Sequence, residues 1–161
     1  MAVASRAALR CDTDMRTLRT VRRHVRDIAL IFGGSAEEAF AVETATGEVL
    51  INVYEHAYRR KSGPIEIDLL YDEARIEITI HDDGEPIVDA PVIPRTPPAG
   101  ARGRGLFLVG QLMDESEIIH PGQGGRGVAV RFVKYLRRGR EATAEPQAAD
   151  SPASSRSARS T

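Results

Sequence analysis

Lysine is nearly missing from this chain: of its 22 basic residues only Lys61 and Lys134 are lysines. The rest are arginine, which reflects either codon composition or a surface that meets carboxylates and phosphates, groups that the planar guanidinium grips at two points. An excess of one charge is missing too. A net charge of −1 at pH 7 argues against a general electrostatic attraction to nucleic acid or acidic membranes, so no direct nucleic-acid or membrane partner is expected. The single cysteine, Cys11, excludes an internal disulfide and has no His or Cys at metal-ligand spacing. No run approaches the roughly 20 apolar residues of a membrane span. The opening MAVASRAALR lacks the apolar stretch of a secretory signal, so a cytoplasmic protein is expected.

The stretch from Gly139 to Thr161 has no aromatic or large aliphatic residue. It cannot bury enough surface to offset its chain entropy, so it reads as a disordered tail. Residues 1–6 read as a flexible N-terminus. The remainder, 7–138, suits one domain with one core.

Within that domain, Met15, Leu18, Val21, Val25, Ile28 and Phe32 recur at helical spacing and define the buried face of a first helix, stopped by Gly33-Gly34. Ser35 and Glu38 form a capping-box pair that opens a second helix reaching to about Tyr58. Gly47 inside it costs about 1 kcal/mol relative to alanine and marks close approach by another group. After Pro64 the period becomes two: Ile65, Ile67 and Leu69, then Ile76, Ile78 and Ile80, predict a hairpin with one covered face. A long loop rich in glycine and proline spans Asp82 to Arg104, followed by a short helix over Gly105–Asp114. Strands are predicted near Glu117–His120 and Val128–Leu136, flanking the turn Gly122-Gln123-Gly124-Gly125. This order predicts an α+β domain, a two-layer sandwich with helices on one face of a mixed, mostly antiparallel sheet.

Three short segments carry the chemistry. Glu48 and Asn52 lie four apart, hence on one helix face, with Glu55 and His56 on or beside that stripe. A carboxylate there suits proton acceptance and a carboxamide oxygen suits Mg²⁺, although a solvated helix face looks the same. At the end of the second strand of the hairpin stands His81-Asp82-Asp83-Gly84-Glu85-Pro86. Asp82 is placed to accept a hydrogen bond from an exocyclic amine, and Gly84 to let backbone approach closely, unless the segment is only an Asp-Gly turn. Finally Gly103-Arg104-Gly105-Leu106 opens a helix whose free N–H groups favour an anion. It matches neither a Walker loop nor a dinucleotide fingerprint.

The conjunction of Glu-x-x-x-Asn, Asp-x-Gly-x-Pro and Gly-x-Gly in this order resembles the GHKL ATP-binding superfamily, which includes gyrase, Hsp90, histidine kinases and MutL. Within it, Glu48–Tyr58 with its His-Ala-Tyr ending, Asp82–Pro86, and Gly103–Leu108 followed by Leu112-Met113-Asp114-Glu115 are most similar to the small bacterial anti-sigma-factor serine/threonine kinases. The resemblance implies a Bergerat-type ATP-binding fold. It also implies Glu48 as general base, Asn52 as Mg²⁺ ligand, and Asp82, Gly84, Pro86 and His56 in the nucleotide site, with Gly103, Arg104, Gly105 and Leu106 around the phosphates. The implied cofactors are ATP and Mg²⁺. The implied partners are a STAS-domain anti-anti-sigma protein, a sigma factor and a second copy of the chain. The alternative is a non-catalytic ATP-binding module that regulates by association alone.

Overall fold

The computed structural model describes residues 4–85, 92–99, 103–120 and 126–137. Pro86, the turn at 122–125 and the expected tail at 139–161 lie outside the described residues. The elements run β1 (Ser5–Asp12), α1 (Met15–Ile31), α2 (Ala36–Asn52), a π-helical turn (Val53–Ala57), β2 (Pro64–Tyr71), β3 (Arg75–Asp82), α3 (Arg104–Leu112), β4 (Glu115–Ile119) and β5 (Val128–Tyr135). Five strands form one sheet in the order β1-β2-β3-β5-β4. Every described pairing is antiparallel, so the mixed sheet expected from the sequence is corrected to a wholly antiparallel one. Ser5 and Arg6, expected in the loose N-terminus, pair with Tyr71 and Leu70.

Alternation sorts the sheet into two faces. Ile65, Ile67 and Leu69 of β2, Ile76, Ile78 and Ile80 of β3, and Val130 and Phe132 of β5 pack against Leu18, Val21, Val25 and Ile28 of α1 and Val42, Ala45 and Val49 of α2. Each large side chain removed from water in this way contributes about 1.5–3 kcal/mol. The opposite face is a charged ladder in which Arg6 meets Asp68, Arg10 meets Glu66, and Arg131 meets both Glu77 and Glu117. That division explains why the helices cover one face.

The helix boundaries follow local chemistry. Asp14 caps α1 by accepting from the N–H groups of Arg16 and Thr17, and the Ser35/Glu38 capping box opens α2 as expected. Glu38 does more than cap, because its other carboxylate oxygen accepts from the N–H of Arg137 at 3.0 Å. Met15, the first residue of α1, departs from the reading of that helix's buried face: it is 53% exposed. Phe32 caps the far end of α1 and meets Tyr71 edge-on with ring centroids 4.8 Å apart.

Candidate functional site

One helix organises the site. Along α2 the side chains of Glu48 and Asn52 share a face, partly buried, as their spacing requires. Gly105, in the first turn of α3, sits directly on them. A Cβ added there would lie 2.5 Å from Glu48 Oε2, 3.5 Å from Asn52 Nδ2 and 3.6 Å from Asn52 Oδ1. A side chain there would fit only if the Glu48 carboxylate turned aside. The glycine brings the start of α3 against the carboxylate and the carboxamide.

Gly103 caps α3 in the left-handed region, with φ of 80°, which favours glycine over other residues. Among the described residues no side chain caps this end, and no acidic residue lies in its first turn. The N–H groups of a helix's first turn lie outside its own hydrogen-bond ladder, the arrangement that receives anions. Arg104 is exposed at the same end, whereas Leu106 is buried and anchors the helix. Ile93 and Pro94 seat the preceding loop on α3: a Cβ at Gly110 would lie 2.8 Å from Ile93 Cγ2.

The second part of the site lies at the end of β3. Asp82 continues the inward row of Ile76, Ile78 and Ile80, opposite Ile65 on one side and Val128 on the other. A polar residue at an inward position becomes a buried carboxylate. Asp82 is 9% exposed, and it accepts the Gly84 N–H at 2.9 Å and the backbone N–H of Val128. Burial pushes its pKa above the ordinary aspartate value, outweighing the lowering by these two bonds. Gly84 presses on the end of the π turn, where an added Cβ would lie 2.5 Å from Ala57 O. Gly127, with φ of 76°, closes the floor: its N–H donates to Gly84 O at 3.2 Å, and a Cβ there would collide with Asp82 O.

The structure thus brings Glu48, Asn52 and Gly105 together. It also brings Gly84, whose N–H donates to Asp82, against Ala57 of the same continuous helical segment. Gly103, Arg104 and Leu106 surround Gly105 in the same turn of chain. Pro86 falls outside the described residues. His56 is exposed, and Glu55 pairs with Arg60 at 3.0 Å. Both stand in the π turn that follows Asn52. The group that approaches Gly47 is protein: a Cβ there would lie 2.8 Å from Arg22 Nε, a buried atom with no hydrogen-bond partner among the described residues. Sequence reasoning missed Gly127. Its only signal was a glycine directly before an apolar strand.

The histidine kinase-like ATPase domain matches residues 11–134. Among curated proteins, an anti-sigma F factor of Caldanaerobacter subterraneus subsp. tengcongensis is 31% identical over 109 residues, 65% of this chain and 75% of that protein. The serine-protein kinase RsbW of Bacillus mycoides is 26% identical over 127 residues, 73% of this chain and 77% of that protein. A crystal structure of the RsbU and RsbW domains of Rv1364c from Mycobacterium tuberculosis shares the fold, with a TM-score of 0.56 at 17% identity over 82% of this chain and 32% of that one. The helices on one face of an antiparallel sheet agree with this shared fold. This chain belongs to the histidine kinase-like ATPase domain family, in its anti-sigma-factor serine kinase branch.

Proposed function

We propose that this protein is a Mg-ATP-dependent serine/threonine kinase that phosphorylates a STAS-type anti-anti-sigma protein and sequesters a sigma factor in the cytoplasm, acting as a homodimer. The observation that carries the reading is the seat of Gly105 on Glu48 and Asn52, since it joins an anion-receiving helix start to a carboxylate and a carboxamide. In this reading adenine lies at the Asp82 end, its exocyclic amine donating to the buried carboxylate, with Gly84 and Pro86 beside it and His56 at the rim. The phosphates lie over the first turn of α3, at Gly103, Arg104, Gly105 and Leu106.

The residues fit a magnesium ion held partly by its substrate. Asn52 Oδ1 is a hard oxygen donor, and Mg²⁺ commonly takes one or two protein oxygens and completes its shell with phosphates and water. When bound, the metal neutralises charge on the phosphates. The chain's own residues do the rest: Glu48 takes the proton of the acceptor seryl or threonyl hydroxyl as its oxygen attacks the γ-phosphorus and ADP departs. Arg104 adds positive charge at the transferring group. Phosphoryl transfer depends mainly on such positioning and charge stabilisation, so one base, one metal and one arginine are chemically sufficient.

The test is transfer of labelled phosphate from Mg-ATP to STAS proteins encoded near this chain, in wild type and in Glu48→Ala. The expected outcome is that Glu48→Ala abolishes transfer and leaves ATP binding largely intact. Normal transfer by Glu48→Ala rules out the assigned base, and failure of the wild type to bind ATP removes the reading altogether.

A further inference from the structure

The segment that follows Asp82 is tied to the end of the π turn. The N–H of Glu85 donates to Ala57 O at 3.0 Å, and Arg59 pairs with the Glu85 carboxylate. That ion pair is solvent-exposed on both partners and of a kind that contributes little. A further tie, also at the surface, runs through a side chain. The N–H of Asp83 donates to Tyr58 Oη at 3.0 Å, while the same hydroxyl donates to Pro64 O at 2.6 Å. One oxygen therefore links the end of the π turn, the first residue of β2 and the residue after β3.

The ring behind that hydroxyl is held in a slot. It lies over Gly63, where an added Cβ would meet ring carbons at 2.4 Å. Gly63 is itself pinned by the buried Thr13, which receives its N–H at 3.0 Å on the side-chain oxygen and donates its own N–H to Gly63 O at 2.9 Å. Immediately after Tyr58 the chain reverses through two consecutive non-glycine residues in the left-handed region, Arg59 (φ 51°) and Arg60 (φ 64°). Such conformations cost energy and persist where surrounding contacts over-determine them, often at ligand clamps. Here those contacts are the Arg60 N–H to Tyr54 O at 2.7 Å and the Lys61 N–H to Tyr58 O at 3.0 Å.

We infer that Tyr58 is a positioning residue for the adenine end of the nucleotide: its hydroxyl clamps the Asp83 amide to the start of β2 and so aims the Asp82 carboxylate. The inference rests on the nucleotide-site reading above. Tyr58 touches no nucleotide in it and acts through the backbone of Asp82–Gly84.

Tyr58→Phe is the test, because the ring still fills the slot over Gly63 and only the hydroxyl is lost. Calorimetric titration is expected to show Mg-ATP and Mg-ADP weakened by the same factor, about fivefold to tenfold, the equivalent of one hydrogen bond. The kcat at saturating ATP stays within about twofold, since the phosphate end is untouched. In the nucleotide-free protein, hydrogen exchange at the Asp83 and Gly84 amides accelerates while α2 is unchanged. Unaltered affinity in a wild type that binds nucleotide overturns the inference, as does unaltered exchange at those amides. If the wild type binds no nucleotide, the site reading fails, and the exchange measurement still decides whether the hydroxyl holds the loop.

Discussion

At the scale of single residues, the site is defined by where a side chain is forbidden. Gly105→Ala places a Cβ 2.5 Å from Glu48 Oε2, so either α3 retreats or the carboxylate turns away. Since a misplacement of about 1 Å can cost about a hundredfold in rate, phosphoryl transfer is expected to fall by about that factor while the melting temperature changes little. Single-turnover transfer alongside thermal denaturation checks this. Asp82 yields a pH prediction. Burial holds its pKa above the ordinary aspartate value, so protonation is favoured by the fold. The group contributes stability most fully below its unfolded-state pKa and loses that contribution as pH rises through the folded-state value. At neutral pH the empty domain therefore bears an unfavourable buried charge, which the adenine amine offsets on binding. ATP affinity should fall on acidification, beginning at a higher pH than an ordinary aspartate would give, and Asp82→Asn should both weaken binding and remove that dependence. Titrations of ATP across the acid range in both proteins decide it. Asp82 was legible from sequence as an acceptor at the end of the strand that carries Ile76, Ile78 and Ile80. Gly127 was not, because its need for a left-handed φ and for contact with Asp82 arises only when β5 docks on β3.

Between elements, the α1–α2 contact carries its own balance. Alanine gains about 1 kcal/mol over glycine inside a helix, but at Gly47 the new Cβ would sit 2.8 Å from Arg22 Nε, and such crowding typically costs about 1–3 kcal/mol. Gly47→Ala is therefore expected to lose its propensity gain in the wild type, whereas in an Arg22→Ala background it should stabilise by about 1 kcal/mol. Urea denaturation of the double-mutant cycle measures the difference as a coupling energy. The glycine beside Glu48 is thus an accommodation to the arginine of the neighbouring helix. The N-terminus of α2 offers a second test. Ser35→Ala removes the oxygen that accepts the Glu38 N–H and should destabilise the domain by about 1 kcal/mol. Glu38→Ala should exceed it, since that carboxylate also holds the Arg137 N–H. The capping box was legible because it involves residues three apart. The π turn was not, because its extra residue is selected by where Ala57 and Tyr58 must land against Gly84 and Gly63.

For the molecule as a whole, one helical segment, from Ala36 to Ala57, carries the proposed base and metal ligand in its middle and the seat of Gly84 at its end. Nucleotide bound along it should stabilise the fold as a unit. A ligand at about a hundredfold its Kd adds about 2.7 kcal/mol to unfolding, a rise of several degrees in Tm. Mg-ATP is expected to give that rise in wild type and in Glu48→Ala, and to give little of it in Asp82→Asn. Thermal scans of the three proteins at matched ligand concentration separate binding from chemistry. A full shift in Asp82→Asn would move the adenine site elsewhere.

Sequence alone determined the two long helices, the central hairpin, the place of Asp82 at a strand end and the shared face of Glu48 and Asn52, because periodicity and capping are local and act over a few residues. Tertiary structure alone decided that Gly105 rests on Glu48 and Asn52, that Gly127 floors Asp82, that Tyr58 joins three segments through one oxygen and that Met15 stays in solvent. Those placements depend on residues far apart in the chain. They are settled when buried faces of helix and sheet dock, which at Gly84 and Gly127 leaves backbone where a Cβ would stand.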